Sequence, residues 1–187
     1  MDAFSYLSVL LSIILGLAIT QVLQGVRGLL LARTRVRIFL PVLLWAGMIV
    51  AMAVQSWWAS FGLADHREWT FGAFGIVLVQ TILLYMLAAL VLPDFPPDAP
   101  TDLHAHYYRE RMAFFGIVVV MLVVSALKDV VLDRHLPSGA NLAFHLVFIA
   151  TGLVAMIARH RRVHEALALA TAALLTSYIA LLFARLG

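Results

Sequence analysis

The segment Phe4–Gly25, FSYLSVLLSIILGLAITQVLQG, contains no charged side chain over its whole length. An α-helix needs about 20 consecutive apolar residues to cross the hydrocarbon core of a bilayer. The apolar character continues past Arg27 to Ala32, so a straight helix over the full stretch would exceed the hydrocarbon thickness and must tilt or bend. This segment therefore predicts a transmembrane helix at the start of the sequence.

The rest of the chain repeats this pattern. Of its 187 residues, 64% are hydrophobic and 12% are charged, and the mean hydropathy is +1.00. Soluble domains are about half apolar and about a quarter charged, so the composition excludes a soluble globular protein. The sequence predicts an all-α integral membrane protein, a single transmembrane domain over residues 1–187 that forms a bundle of six transmembrane helices. The predicted spans are about 4–25, 38–62, 70–92, 112–132, 140–158 and 166–184.

Two features indicate how the spans are arranged. A Pro-rich inner linker at 93–101 separates three spans from three, so the halves have opposite orientation, and a 3+3 inverted repeat of the kind found in transporters fits this division. The connections after spans one, three and five carry nine basic residues, against four on the other side. Basic residues favour the cytoplasmic side, so both termini are predicted to lie outside. Because arginine far outnumbers lysine and alanine is abundant, we expect a multi-pass protein of a bacterial inner membrane.

The inventory of residue types excludes several chemistries. Without cysteine the chain has no disulfide, thiolate metal site or iron–sulfur cluster. Only His145 lies within a span, so haem held by paired histidines is not expected, and no cofactor is predicted. The net charge of +3 is small, so the sequence does not indicate a surface that binds nucleic acid. With no Ser/His/Asp arrangement or Gly-rich phosphate loop, the sequence favours a protein that is not an enzyme.

The other histidines of interest lie at the rims of the predicted bundle. A membrane enzyme or a metal site would have to use His104, His106, His160 and His164. The last two have the i, i+4 spacing of helical metal ligands, but neighbouring arginines oppose a cation there. The alternative, which the sequence favours, is that all four are solvated loop histidines.

Ionisable groups inside spans are costly and are the best indicators of function in such a chain. Lys128 and Asp129 lie near the end of span four, and His145 lies in span five. Asp129 and His145 are each eight residues from Pro137, so a hairpin places them at about the same depth, with Ser125 one turn deeper than Asp129. A carboxylate beside an imidazole responds to pH near neutrality. The structural alternative is that Lys128 extends to the headgroups and Asp129 pairs with Lys128 or with His145.

Two amides lie deeper. Gln80 is near the middle of span three, and Gln55 lies in span two within about one helical turn of it once the spans fold into a hairpin. The amides are expected either to bond to each other and hold the helices together or to line a conduction path.

Small and polar residues recur at intervals of four in the first and last spans. The residues of this kind are Ser8, Ser12, Gly16 and Thr20 in span one, and Ala172 and Thr176 in span six. Residues four apart share a helix face, and small residues let two helices approach closely. The main interpretation is packing between helices of one chain; a homo-oligomer contact and a polar path are the alternatives.

The leading functional hypothesis is an ion channel or transporter. Lys128, Asp129 and His145 would form a proton-sensitive outer cluster, and Gln80 with Gln55 would line the deeper path. A bundle of 20.6 kDa leaves little room for a wide pore, so a homo-oligomer is expected, with the lipid bilayer and a small inorganic ion or proton as further partners. The alternative is a non-transporting sensor or assembly module that binds a partner protein or lipid.

Overall fold

Six α-helices form the bundle in the computed structural model, which describes residues 3–64, 69–96, 99–135, 137 and 139–182. The helices are α1 (Ala3–Leu31), α2 (Leu40–Ala59), α3 (Phe71–Val91), α4 (Leu103–Asp133), α5 (Gly139–Ile157) and α6 (Arg161–Leu182). All six are long and apolar enough to cross a membrane. The predicted all-α architecture with six such helices is confirmed. The predicted end of span six, at 183–184, lies outside the described residues.

Two short strands that the sequence did not predict join the connections at one end of the bundle. Strand β1 (Val36–Arg37) pairs in parallel with strand β2 (Thr101–Asp102), with Val36 opposite Thr101. The pair brings the connection between α1 and α2 beside the connection between α3 and α4. We call this end of the bundle, marked by β1 and β2, the linker end.

The opposite end holds the starts of α1 and α3 and the connection after α2. Leu7 and Leu11 of α1 pack with Val77 of α3, and Leu132 near the end of α4 lies against this cluster. The 3-10 turn Ser60–Leu63 follows α2 and closes the same end. We call it the cavity end.

Two helices begin earlier than the predicted spans. Helix α4 starts at Leu103 rather than at 112, because Asp102 Oδ1 accepts hydrogen bonds from the backbone N–H groups of His104 (2.8 Å) and Ala105 (3.2 Å). Such a cap satisfies donors that the first helical turn leaves free. Helix α6 starts at Arg161 rather than at 166, where an ion pair with Glu165 spans one turn. The predicted boundaries marked where the apolar residues begin, and polar helical turns precede them.

Close contact between α1 and the end of α3 depends on two glycines. A Cβ added at Gly25 would lie 2.7 Å from Leu92 Cδ1, and one added at Gly28 would lie 2.6 Å from Phe95 Cδ2. Cβ atoms in proteins are essentially never this close to another heavy atom. Glycine, whose side chain is a single hydrogen atom, therefore fits both positions without displacing the neighbouring side chain. The Pro-rich segment is not helical in its described residues, as predicted, although Pro97 and Asp98 lie outside them.

The two halves of the bundle pack differently. Helix α1 lies extensively against α3, whereas α4 and α6 are not among the extensively packed helix pairs of the described residues. Helix α6 instead packs mainly on α2. Helix pairing therefore gives no support to a 3+3 inverted repeat, which stays a prediction.

Aromatic side chains fill the core toward the linker end. Trp45 contacts Phe115 edge-on with ring centroids 5.3 Å apart, and Phe39 contacts Tyr107 in the same way at 5.2 Å. All four are buried, and the main apolar cluster to which they belong draws residues from all six helices. We call Phe39, Trp45, Tyr107 and Phe115 the aromatic layer.

Candidate functional site

A cavity of about 350 Å³ lies inside the bundle and is lined by residues of all six helices. Its lining reaches Gly62 and Leu63 after α2 and Leu132 near the end of α4, which are positions at the cavity end. In the other direction it stops at Trp45, in the aromatic layer. Small-molecule sites are concavities of about 300–1,000 Å³ with mostly apolar walls and a few placed polar groups. This cavity has that size and composition.

The polar residues that the sequence singled out inside spans meet in this cavity. The six candidates for transport or gating all line it: Lys128, Asp129, His145, Gln80, Gln55 and Ser125. They come from α2, α3, α4 and α5, which are distant in sequence. A single cavity therefore contains all six candidates.

Asp129 and His145 lie on facing helices, and Asn141 connects them. Asn141 Nδ2 donates to Asp129 Oδ2 at 3.3 Å, and His145 Nδ1 donates to the backbone carbonyl of Asn141 at 2.8 Å. The predicted direct pairing of Asp129 with His145 is not among the hydrogen bonds of the described residues. The hairpin between α4 and α5 thus brings the two residues to one site through an intermediate amide.

Sequence reasoning missed Tyr178 of α6. Its hydroxyl donates to Asn141 Oδ1 at 3.4 Å, so α6 joins the same polar cluster. A single tyrosine among the apolar residues near the end of the last span is the signal that could have identified it. We call Asp129, Asn141, His145 and Tyr178 the polar cluster.

Hydroxyl groups deeper in the cavity bond to their own helices. Thr81 donates to Val77 O at 2.9 Å, and Thr171 donates to Leu167 O at 2.7 Å. Thr151 and Ser60 donate to backbone carbonyls of their helices in the same way. Such bonding is the usual choice of a hydroxyl in an apolar helix, and it leaves the oxygen lone pairs directed to other partners.

The charge of the cavity lies on one side. Its titratable lining residues are Lys128, Asp129, His145 and Tyr178, which belong to α4, α5 and α6. Helices α1, α2 and α3 contribute no charged side chain to the lining. The side chain of Lys128 is not isolated, because it also interacts with another group of the protein.

The two deeper amides line the cavity without bonding to each other. No hydrogen bond of the described residues joins the amides of Gln55 and Gln80, although both line the cavity. Helices α2 and α3 pack less extensively than α1 and α3, and Gln55 of α2 and Gln80 of α3 both line the cavity. The amides therefore face the cavity instead of holding the two helices together.

The stripe of small residues on α1 does not pack inside the chain. Ser12, Gly16 and Thr20 are exposed, and nothing lies within 4 Å of a Cβ added at Gly16. The face of α1 that packs carries leucines, Ala18 and Val22 instead. Ser12 does accept a hydrogen bond from Trp57 Nε1 at 3.3 Å, and Ser8 is partly buried and donates to Ser5 O.

The corresponding stripe of α6 lies partly against the main apolar cluster and partly at the surface. Ala172 is partly buried and Thr176 is exposed, and α1 and α6 are not among the extensively packed pairs of the described part of the chain. The two stripes are therefore not packed extensively against each other in the described residues, and packing within the chain, the main interpretation, stays a prediction. Spacing identifies a helix face but not the direction in which it points, and the large apolar side chains of α1 take the core.

Two of the rim histidines are buried rather than solvated. His164 Nε2 donates to Ala158 O at 3.0 Å, and its Nδ1 accepts from the hydroxyl of Tyr107 at 2.9 Å in the neutral ring. Arg111 donates to the same carbonyl of Ala158 at 2.6 Å. This arrangement, the linker-end histidine cluster of Tyr107, Arg111, Ala158 and His164, ties the starts of α4 and α6 to the end of α5.

The remaining histidines have separate partners. His106 is buried and donates from Nε2 to Leu90 O at 3.0 Å, while Arg109 donates to its Nδ1 at 3.2 Å. His104 contacts the ring of Phe39, and His160 lies in the connection between α5 and α6. Among the described residues no group of three histidine or acidic side chains is placed to hold a metal ion.

An ionic contact at the linker end complements the strand pair. Asp102 Oδ2 lies 3.3 Å from Arg37 Nη1. Partial desolvation raises the pKa of Asp102, but the backbone N–H groups of Ala105 and His104 and the charge of Arg37 lower it further, so that the pKa lies below its ordinary value. The carboxylate is therefore held in its ionised form.

The chain matches no protein-family model, no curated protein and no solved structure at a significant level.

Proposed function

We propose that the protein is a small transporter of charged solutes, with the cavity as its binding site and the polar cluster as its pH-sensitive part. The observation that carries the proposal is the convergence of six polar or charged residues from four helices on one cavity inside an apolar bundle. Polar groups are costly within a membrane, and they are usually found there on substrate or ion pathways.

A transporter fits the cavity better than an open channel does. The cavity reaches the cavity end but stops at the aromatic layer, where the side chains of Phe39 and Phe115 are each 1% exposed. The linker-end histidine cluster holds α4, α5 and α6 together beyond that layer. A site open on one side and closed on the other is what alternating access requires.

The orientation of the cavity in the membrane follows from the charge distribution. The excess of basic residues at the connections after helices one, three and five supports a cytoplasmic linker end, with both termini and the cavity facing outward. A bacterial inner membrane is the proposed location, on the arginine-rich composition alone.

Charge movement in proteoliposomes tests the proposal. The purified protein is exposed in turn to protons, alkali cations, halides and small organic cations and anions. Ser125→Phe, which places a ring in the cavity, is expected to abolish the current. Ser177→Phe is the matched control, because Ser177 is exposed and does not line the cavity. No current from any solute in folded, inserted protein would overturn the proposal, and so would equal currents from the two variants.

A second candidate is a non-transporting sensor or assembly module. The exposed stripe of Ser12, Gly16 and Thr20 favours it, because small residues on a lipid-facing helix permit close approach of another helix. The same face would serve a homo-oligomer. Crosslinking in the membrane tests this candidate: Gly16→Leu is expected to abolish association, and unchanged crosslinking would reject this face as the interface.

A further inference from the structure

We propose that the cavity binds a small organic ammonium ion, with its nitrogen at the polar cluster and its apolar body on the deeper wall. The inference rests on the proposed function for its claim that the bound molecule is carried across the membrane. The ligand class itself rests on the hydrogen-bond geometry of the cavity.

Six side chains that line the cavity already donate their polar hydrogen to protein acceptors. They are the side chains of Ser60, Thr81, Thr151, Thr171, His145 and Tyr178. A hydroxyl has one hydrogen and two lone pairs, so a hydroxyl that donates to the backbone can only accept from a ligand. His145 donates from Nδ1, which leaves Nε2 of the neutral ring as an acceptor.

Asp129 adds a negative charge to this acceptor-rich lining. Its Oδ2 accepts one long hydrogen bond, from Asn141 at 3.3 Å. A carboxylate has about four acceptor sites, so much of its capacity is left for a ligand. The lining also carries donors, which are the amides of Gln55 and Gln80, the hydroxyls of Ser56 and Ser125, and the ammonium of Lys128. Lys128 lines the same region and has an interaction of its own.

At the polar cluster, the complement is a positively charged hydrogen-bond donor. An anion there would lie beside the Asp129 carboxylate and the lone pairs of His145 and Tyr178, so anions are disfavoured at this end of the cavity. A bare alkali cation satisfies the acceptors but does not fill about 350 Å³ or use the apolar walls.

The deeper wall fits an apolar body. Met48, Met52 and Met121 line it together with Leu84 and Leu122. Methionine is flexible and polarizable and adapts to ligands of irregular shape. An ammonium group on a hydrocarbon or aromatic body of roughly ten heavy atoms matches both parts of the cavity.

Calorimetry on the full-length protein in lipid nanodiscs tests the ligand class. Three probes of similar shape are compared: 2-phenylethylammonium, 2-phenylethanol and 3-phenylpropanoate. The ammonium is expected to bind at least about tenfold more tightly than the alcohol, and the carboxylate is expected not to bind. Equal affinities for ammonium and alcohol would overturn the proposal. Competition by millimolar potassium would overturn it in favour of an alkali cation site.

Variants locate the ammonium group. Asp129→Asn keeps the shape of the side chain and is expected to weaken ammonium binding at least about tenfold while leaving the alcohol unaffected. Asp94→Asn is the control, since Asp94 is exposed on the linker and does not line the cavity. If Asp129→Asn does not fold, Ser125→Phe against Ser177→Phe makes the same comparison. Ammonium binding that survives in Ser125→Phe would refute the site.

The two proposals fail in different ways. Selective ammonium binding without uptake into liposomes would overturn transport and leave the ligand class standing. Currents from another solute without ammonium binding would overturn the ligand class and leave transport standing.

Discussion

The side-chain amide of Asn141 on α5 donates a hydrogen bond to the carboxylate of Asp129 on α4, with Nδ2 and Oδ2 3.3 Å apart. The backbone carbonyl of the same asparagine accepts from His145, and its side-chain oxygen accepts from Tyr178. Asn141 therefore connects the acidic and imidazole side chains of the cavity and extends the connection to α6. The hydrogen bonds of the polar cluster are therefore centred on this one residue.

Replacing Asn141 with alanine removes two side-chain hydrogen-bonding atoms, Nδ2 and Oδ1, from the polar cluster. Asp129 loses its donor and Tyr178 loses its acceptor, and an unsatisfied group of this kind costs about 1–3 kcal/mol. We expect the free energy of unfolding in detergent to fall within that range. Ser177→Ala is the control, because it removes only a bond from an exposed serine to its own helix. Equal losses in the two variants would contradict a specific role of Asn141.

The glycines of α1 are predicted to differ sharply in their tolerance of a methyl group. Gly25→Ala would bring Cβ to 2.7 Å from Leu92, whereas Gly16→Ala meets nothing within 4 Å. Overpacking typically costs about 1–3 kcal/mol, so Gly25→Ala should be less stable than Gly16→Ala by about that amount. Thermal unfolding monitored by size-exclusion chromatography measures the difference. If both variants unfold at the same temperature, α1 does not approach α3 as closely as described.

Tyr107→Phe removes the donor to His164 in the linker-end histidine cluster. Since His164 is fully buried, its Nδ1 would lose its partner, and we expect a loss of about 1–3 kcal/mol in stability. Tyr6→Phe is the matched control, because Tyr6 is 69% exposed. Denaturant unfolding of both variants checks the prediction. A loss no greater than in Tyr6→Phe would show that the bond does not hold α4 to α6.

Asp102 is predicted to stabilise the linker end in a pH-dependent way. Because the pKa of Asp102 is lowered on folding, its contribution is complete above the ordinary value of 3.8 and is lost as the pH falls through the lower folded value. At neutral pH, Asp102→Ala should cost about 1 kcal/mol through loss of the cap of α4.

Asp102→Asn separates the cap from the ion pair. Asparagine also caps helices well, and the contact with Arg37 is exposed, so this variant should change stability at neutral pH by less than about 1 kcal/mol. Unfolding of wild type and both variants between neutral and acidic pH provides the measurement. An Asp102→Asn variant as unstable as Asp102→Ala would show that the ion pair, and not the cap, matters.

The apolar stretches of the sequence predicted all six helices, because the length of such a stretch is a direct physical requirement for crossing a bilayer. Symmetric placement about Pro137 also predicted that Asp129 and His145 would lie at about the same depth, and both line the cavity. These inferences succeeded because they depend on helix length and on hairpin geometry, which are local properties of the chain.

Other features depend on which face of a helix enters the core. The four-residue spacing around Gly16 defines a helix face but does not show that this face points outward. The leucine-bearing face of α1 is the buried one, and it is buried by contacts with other helices that the local sequence does not reveal. The burial of His106 and His164 likewise follows from contacts between distant helices. The strand pair of β1 and β2 joins residues 65 positions apart, as in the contact of Arg37 with Asp102, and has no local signal.

Labelling of a single cysteine in the cavity tests the central claim most directly. The chain contains no cysteine, so Ser125→Cys offers one thiol inside the cavity, and Ala105→Cys offers one on the exposed surface of the linker end. A membrane-impermeant cationic methanethiosulfonate is applied to either side of oriented vesicles. We predict that Ser125→Cys reacts only from the side of the termini and loses solute current on reaction, while Ala105→Cys reacts only from the opposite side. Reaction of Ser125→Cys from the linker side alone, or full labelling with unchanged current, would contradict an outward-facing cavity that carries transport.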